Sequence, residues 1–215
     1  MGSPWPDLSD FGLDPARLVP FLLGRTSFHD VAHGDLDALH SLMQALHDIA
    51  RDVVQQYGGW LHPVMGDRLL VTFGVPVVQE DHARRAVRVA LALRQRVHEL
   101  DERLGVVPGV SLALRVGLHT GLVVESRWDD TASAVAVVGD VISLAVALQA
   151  QAEPGQILCS DTTAHLVQEI VRLEAVGLVQ VTGQVSPVAA YAILGSRAQH
   201  SPGGQHRERS LSPFV

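Results

Sequence analysis

One aspartate stands where it could either shape a turn or hold a metal ion. Asp67 follows Gly66 between two apolar runs, in the stretch HPVMGDRLLVTFG that covers residues 62–74. Gly-Asp tolerates the backbone angles of a tight hairpin, so a purely structural role explains the pair. A carboxylate can also hold a hard divalent cation together with waters and phosphate oxygens. The two roles are compatible, and the rest of the sequence bears on the second.

Histidine pairs offer a second chemistry. The chain has 11 histidines. His29 and His33 are four residues apart, and His40 and His47 are seven apart on a helical segment. Both spacings can align imidazoles on one helical face, as a zinc site requires. No acidic third ligand has a clear place beside them, and histidines on solvated faces are common. A metal-binding protein is therefore one alternative function.

The permanently positive side chains are all arginines. All 16 are arginine, and the 215 residues include no lysine and no asparagine. No mechanism that needs a Lys or Asn side chain from this chain can operate. One predicted helix presents a row of arginines, which could bind phosphates or form a solvated face. The row consists of Arg84, Arg85, Arg88 and Arg96.

Composition narrows the function classes. The chain is 47% hydrophobic and 18% charged, which is typical of one well-packed domain. Its formal net charge of -7 gives no general attraction to nucleic acid or anionic membranes. Cys159 is the single cysteine, which excludes an internal disulfide. The first ten residues lack the features of a signal peptide, and no long apolar run follows. We expect a cytoplasmic protein without membrane or nucleic-acid partners.

Apolar periodicity predicts the elements that position these groups. Strands are expected near 18–23, 111–124, 134–138, 178–182 and 188–194, helices near 35–57, 80–104, 140–152 and 161–168, and a hairpin at 60–74. This order predicts an α+β fold, with helices packed on one face of an antiparallel sheet. The domain is expected over residues 17–195, between a flexible arm (1–16) and a disordered tail or linker (196–215).

Four separated stretches resemble one protein family. They read GGWLHPVMGD with VTFGVP, EDHARRAV, LRVGLHTG, and VGDVISLA running into AEPGQIL. Each is weak alone, but together, in this order and spacing, they are specific. The chain resembles the class III nucleotide cyclase domains, the adenylate/guanylate cyclase family, over about residues 17–194.

The resemblance implies a ferredoxin-like α+β domain that dimerises head to tail, with active sites at the dimer interface. In the family, two aspartates hold two Mg²⁺ or Mn²⁺ ions, which activate the ribose 3′-hydroxyl and neutralise the triphosphate. A Lys and an Asp or Thr read the purine, and an Asn orients the ribose. An Arg stabilises charge on the α-phosphate, and a second Lys contacts the phosphates.

Most of these roles fall on unsuitable side chains. The second metal aspartate corresponds to Asp67. The other positions are Pro63 for the purine-reading Lys, Ala136 for its partner, Ser143 for the Asn, Ala147 for the Arg, and Thr182 for the phosphate Lys. Removing one oxyanion donor typically costs about two to three orders of magnitude in rate, so several losses predict activity near background.

The first metal aspartate has two possible alignments. Matching Gly24-Arg25-Thr26 to the end of the family's strand pattern places Phe21 where the aspartate belongs. The competing segment Phe28-His29-Asp30 matches locally but lies close to the first helix. We prefer Phe21, with Asp30 as the alternative metal ligand.

The resemblance therefore predicts a catalytically silent cyclase-homology domain, a homodimer that serves as a dimerisation or regulatory module in a larger bacterial signalling protein. Asp67 would be a relic metal ligand, and no cofactor is expected. The alternative is a divergent cyclase, active alone or with a complementing partner, using Mg²⁺ or Mn²⁺. The last six residues, SLSPFV, resemble a linker to a P-loop ATPase module, which is the expected C-terminal partner.

Overall fold

The computed structural model describes residues 17–29, 36–62, 67–74, 79–104, 111–127, 135–138, 141–181 and 186–197. The strands are β1 (Arg17–His29), β2 (Trp60–His62), β3 (Arg68–Thr72), β4 (Ser111–Arg127), β5 (Val135–Val138), β6 (Ile157–Ser160), β7 (Val171–Val179) and β8 (Val188–Ser196). The helices are α1 (Leu36–Gln56), α2 (His82–Leu104), α3 (Val141–Gln151) and α4 (Asp161–Val167).

One sheet organises the described part of the chain. Its strand order is β2-β3-β1-β4-β6-β8-β7, with β5 paired to β4 outside this path. The β4–β6 pair is parallel, and the other pairs are antiparallel. A parallel pair needs a crossover connection, and here β5 and α3 lie between the two strands in the chain. The predicted α+β class is confirmed, with a mixed sheet.

The first core lies between the sheet and helices α1, α2 and α4. The helix α2 presents an alanine-rich buried face, on which Ala86 and Ala90 are fully buried beside Leu93. These side chains share one core with Val116 and Leu118 of β4. Small side chains allow the helix to approach the sheet closely, so this layer fixes β4 from one side.

The second core lies on the opposite face, under α3. There Leu144 and Leu148 pack with Leu158 of β6 and Ala190 of β8. The prediction that helices cover only one face is therefore wrong. The physical reason is that α3 contains no charged residue, so its sheet-facing side can be buried. All four residues of β6 are buried, because both faces of this strand are covered.

A glycine brings α3 directly onto the backbone of β4. A Cβ atom at Gly117 would lie 2.2 Å from the Ala145 carbonyl oxygen and 2.5 Å from the Gln149 amide nitrogen. No side chain fits at this distance, so the helix backbone rests on the strand backbone. Since side chains alternate along a strand, residues 115, 117 and 119 of β4 share the α3 face.

The strand β7 begins earlier than expected, at Val171 where the sequence predicted 178–182. Five consecutive residues of this strand, 174–178, are exposed, so they show no apolar alternation. The pairing with β8 also shifts register twice, between Arg172 and Leu173 and between Ala175 and Gly177. These irregularities remove the period-two signal on which strand prediction depends.

Within the described ranges, no helix combines the length and apolar character needed to cross a membrane.

Candidate functional site

The hairpin that contains Asp67 is formed by β2 and β3. Trp60 pairs with Thr72 and His62 with Leu70, which confirms the predicted hairpin. His62 Nε2 lies 2.9 Å from Thr72 Oγ1, and burial lowers the pKa of His62. Asp67 is half-buried and comes directly before the first residue of β3. The hairpin thus holds this carboxylate at one end of the sheet.

Phe21 does not lie opposite Asp67. In the register of β1, Phe21 pairs with Thr72 on β3, whereas Arg25 pairs with Arg68. Four residues separate Phe21 from the β1 position opposite Arg68, which is about 13 Å at the usual strand rise. An aspartate at position 21 would therefore be too distant to share a metal ion with Asp67.

Several other family positions fall outside the described residues. Asp30, the alternative metal ligand, follows the last described residue of β1, and Pro63 and Thr182 also lie beyond the described ranges. Ala136 belongs to β5, where it pairs with Ser126 of β4.

The helix α3 presents the two remaining family positions near its exposed side. Ser143 is exposed and Ala147 is half-buried. Val146 lies between them on the same helix and is also exposed. Neither of these two family positions supplies an amide or a cation. This short uncharged surface combines the hydroxyl of Ser143 with the apolar side chains of Val146 and Ala147.

Three arginines occupy one rung of the sheet beside Asp67. Arg25 of β1 pairs with Arg68 of β3 on one side and with Arg115 of β4 on the other. We call this set the arginine row. Arg68 is exposed and Arg115 is half-buried, and Arg115 Nε is buried without a hydrogen-bond partner among the described residues. The sequence could not reveal this set, because only the strand register brings the three positions together.

The described residues supply one of the two family carboxylates, Asp67. The side chains at both candidate positions of the second one, Phe21 and Asp30, lie outside the described part of the structure. No group of three or more His, Cys, Asp or Glu side chains in the described ranges could hold a metal ion.

The pair His40 and His47 belongs to no group of three or more possible metal ligands in the described part of the chain. His40 is exposed and His47 is half-buried, and both line a shallow groove along α1 together with Asp48. The His47 Nε2 atom is buried without a partner among the described residues. Only the backbone of His29 is described, and His33 lies outside the described ranges.

A buried polar network escaped the sequence analysis. His119 Nδ1 lies 2.7 Å from Ser160 Oγ, which lies 3.3 Å from Thr163 Oγ1, and the latter is 2.9 Å from Thr120 Oγ1. Burial lowers the pKa of His119 to about 4, so its imidazole is neutral at physiological pH. The network joins β4, β6 and α4. The Ser-Asp-Thr-Thr run that starts α4 is the one local signal, since Ser160 is its N-cap.

The family model for the "Adenylate and Guanylate cyclase catalytic domain" matches residues 27–195. The fold and the hairpin aspartate define a nucleotide cyclase homology domain. With a match over more than half of its length, the chain belongs to the adenylate and guanylate cyclase catalytic domain family. The matched segment begins after Phe21 and includes both Asp30 and Asp67.

Individual relatives agree with this assignment. Guanylate cyclase soluble subunit beta-2 of Rattus norvegicus is 31% identical over 124 residues, which are 56% of this chain and 17% of that protein. The adenylyl cyclase CyaB from P. aeruginosa has a similar structure, with a TM-score of 0.73 at 23% identity, covering 85% of this chain and 97% of that one. The dimeric guanylyl cyclase domain of the RhoGC fusion protein from Blastocladiella emersonii gives 0.71 at 19% identity, covering 86% and 98%.

Proposed function

We propose that the chain is a catalytically silent cyclase-homology domain that serves as a dimerisation and regulatory module. The observation that carries this proposal is the arginine row. A cyclase gathers carboxylates around metal ions, whereas the register of this sheet aligns Arg68, Arg25 and Arg115 beside Asp67, the one family carboxylate in the described part of the chain. Like charges on one rung repel a divalent cation.

The surface of α3 supports the second half of the proposal. In a catalytic helix of the family, two positions supply an amide and a guanidinium, but here Ser143 and Ala147 occupy them and supply neither. An uncharged, partly apolar helix surface is suited to contact with another protein. A related fold, the guanylyl cyclase domain of the RhoGC fusion protein, has been solved both as a non-canonical dimer and as a monomer. We infer that a second copy of this chain covers α3.

A cyclase assay tests silence directly. Purified chain is incubated with ATP and then GTP, in Mg²⁺ and in Mn²⁺, beside the Asp67→Ala variant and an active member of the family. We expect no cyclic nucleotide above the Asp67→Ala level, because the described site has one metal carboxylate, Asp67, and Ala147 stands in place of the transition-state cation. Product that disappears in the variant would refute the proposal.

One observation favours the alternative, a divergent cyclase. The family match begins early enough to include Asp30 along with Asp67. If both held metal ions, Asp30→Ala and Asp67→Ala would each abolish product. His62 or Arg68 would then serve as unconventional donors, and Mg²⁺ or Mn²⁺ would be required. A partner chain could also complete the site. The same assay distinguishes these enzymes from a silent domain.

The cytoplasmic location, the bacterial signalling context and the C-terminal ATPase module expected from residues 210–215 stay predictions. For the regulatory role, we propose that the dimer transmits a signal to other parts of a longer protein. Expression of the longer protein with and without α3 surface substitutions would test this, with the activity of its output module as the readout.

A further inference from the structure

We propose that a cleft between α2 and the sheet is a binding site for a small organic carboxylate, with Arg94 as the residue that holds the carboxylate group. We call it the Arg94 cleft. None of its lining residues is among the family positions described above. The inference goes beyond the proposed function, because a silent dimerisation module could carry this site or lack it. The cyclase assay and the titration below therefore fail separately.

The cleft exists because β6 is much shorter than the strands on either side of it. Within the described ranges, β6 pairs only with Val116–Leu118 of β4 and with Ala190–Ala192 of β8. Beyond these pairs, no described strand lies between Leu112 of β4 and Leu194 of β8. Two strand spacings separate β4 from β8, so the gap is about 10 Å wide. The turn at residues 154–155 closes one end of the gap, and α2 lies along it.

Two side chains of α2 bind backbone groups in this gap. Asp101 Oδ1 accepts a hydrogen bond of 2.6 Å from the Leu112 backbone N–H. Arg94 Nη1 and Nη2 donate to the carbonyl oxygens of Ile193 and Leu194 at 3.4 and 3.2 Å. The cleft that remains has a volume of about 570 Å³, which is in the range of small-molecule binding sites.

Arg94 indicates that the ligand is an anion. The residue is half-buried, and burial lowers its pKa, because a guanidinium group loses hydration there. Carbonyl oxygens accept its hydrogen bonds but do not neutralise its charge. In the described part of the chain, no carboxylate lies within ion-pair distance of Arg94. A partly desolvated cation without a counter-ion is unfavourable, so a bound carboxylate would stabilise this one.

The other titratable groups of the cleft limit the charge of the ligand. Asp101 is two helical turns from Arg94, about 10 Å along the axis of α2. Its negative charge disfavours a phosphate or another multiply charged anion. His98 also lines the cleft, and its Nε2 lies 3.5 Å from Glu102 Oε1. One guanidinium group therefore matches one carboxylate, whose two oxygens fit its planar fork of donors.

The remaining lining indicates that the ligand has an apolar body. Leu194 lines the cleft and is 47% exposed although it is apolar. Leu112 and Leu114 line the cleft from the first core. A Cβ atom at Gly155 would meet no atom within 4 Å, so the space beside this turn is open. A short hydrocarbon chain would cover Leu194 while its carboxylate contacts Arg94.

An NMR titration of the full chain tests the proposal, with octanoate below its micelle-forming concentration as the probe. 1-Octanol and octylammonium carry the same hydrocarbon chain with a neutral and a positive head group, so they isolate the contribution of the carboxylate. We expect octanoate to cause saturable shifts of the backbone amides of Leu114, Gly155 and Leu194. Affinity for the other two compounds should be at least about tenfold weaker, as for loss of one charge-assisted hydrogen bond.

Two variants locate the carboxylate. Arg94→Gln should weaken octanoate binding at least about tenfold and remove its advantage over 1-octanol. Leu194→Asp leaves Arg94 in place and adds a negative charge at an exposed position of the cleft, so it should weaken octanoate binding more than 1-octanol binding. Circular dichroism verifies the folding of each variant, which matters for Arg94→Gln because this side chain also holds two carbonyl oxygens.

The matched controls keep the chemistry of each substitution and change its place. Arg96→Gln removes an exposed arginine of α2 that does not line the cleft, and Leu166→Asp changes an exposed leucine of α4. Both controls should bind octanoate with wild-type affinity. Absence of saturable binding, equal affinity for 1-octanol, or equal weakening by a control and its matched variant would overturn the proposal.

Discussion

At the scale of single residues, the strand register places Asp67 beside the arginine row at one end of the sheet. Asp67 and Arg68 are adjacent in the chain. The Asp67 carboxylate would attract a metal ion, whereas the Arg68 guanidinium would repel it. The arginine row adds two more cations from neighbouring strands.

The residue His119 makes stability depend on pH. Burial lowers its pKa to about 4, from the 6.5 of an exposed histidine. Between these values the unfolded chain binds a proton that the folded chain does not. The contribution of His119 to the free energy of unfolding therefore has its full value above pH 6.5. It decreases by roughly 1–3 kcal/mol as the pH falls to about 4. Urea denaturation at pH 7.5 and pH 5 measures the loss.

The variant His119→Gln should lose less stability between these two pH values than the wild type does. A residual slope remains, because burial also lowers the pKa of His62. The control His98→Gln changes an exposed histidine and should keep the wild-type slope. An unchanged slope in His119→Gln would contradict the assignment.

At the scale of elements, α3 is the surface that the proposed dimer requires. Val146 is 38% exposed although it is apolar, and the helix contains no charge that would favour water. An exposed apolar side chain alone is ordinary. Its position between Ser143 and Ala147, on an uncharged helix, makes it informative.

We expect Val146→Asp to weaken the dimer by about tenfold or more, because a charge buried at an interface without a partner is costly. Analytical ultracentrifugation over a range of concentrations measures the change. The control Leu166→Asp places the same charge on an exposed apolar site of α4, on the other side of the sheet. A wild-type chain that is monomeric at high concentration, or equal weakening by both variants, would refute the α3 interface.

The apolar periodicity of the sequence was sufficient to predict the helices but not to predict the candidate site. The apolar spacing of α1 and α2 predicted both within a few residues, because each has one buried face. β7 was misplaced, because its middle residues are exposed and its pairing is irregular. The Gly-Asp pair correctly indicated the hairpin. The arginine row and the His119 network join residues up to 90 positions apart, so they follow from strand register, which no local pattern encodes.

At the scale of the whole molecule, the sheet is open and has two edges. The edge strand β2 has only three residues, whereas β7 has nine. Val176 and Leu178 of β7 are 50% and 68% exposed. A long edge strand with exposed apolar side chains can pair with other chains, and natural proteins commonly protect such edges with charge.

The substitution Leu178→Lys should slow aggregation of the purified protein at high concentration, because it places a charge on the edge. Stability should change by no more than about 0.5 kcal/mol, since the side chain is exposed. Light scattering over time measures aggregation, and urea denaturation measures stability. The control Leu166→Lys alters an equally apolar helix surface that has no unpaired strand backbone. Equal slowing by both variants would show that net charge, and not the edge, is responsible.

The contact between Gly117 and α3 has a mechanical consequence. Where side chains separate two elements, small displacements are absorbed by changes of rotamer. Here the Ala145 carbonyl contacts the strand backbone itself, so no side chain lies between the two elements to change its rotamer. A force on the outer side of α3 would pass to β4 as a rigid displacement. That strand contains Arg115 two residues before the contact and His119 two residues after it. A displacement of α3 would therefore move the arginine row and the His119 network together with β4.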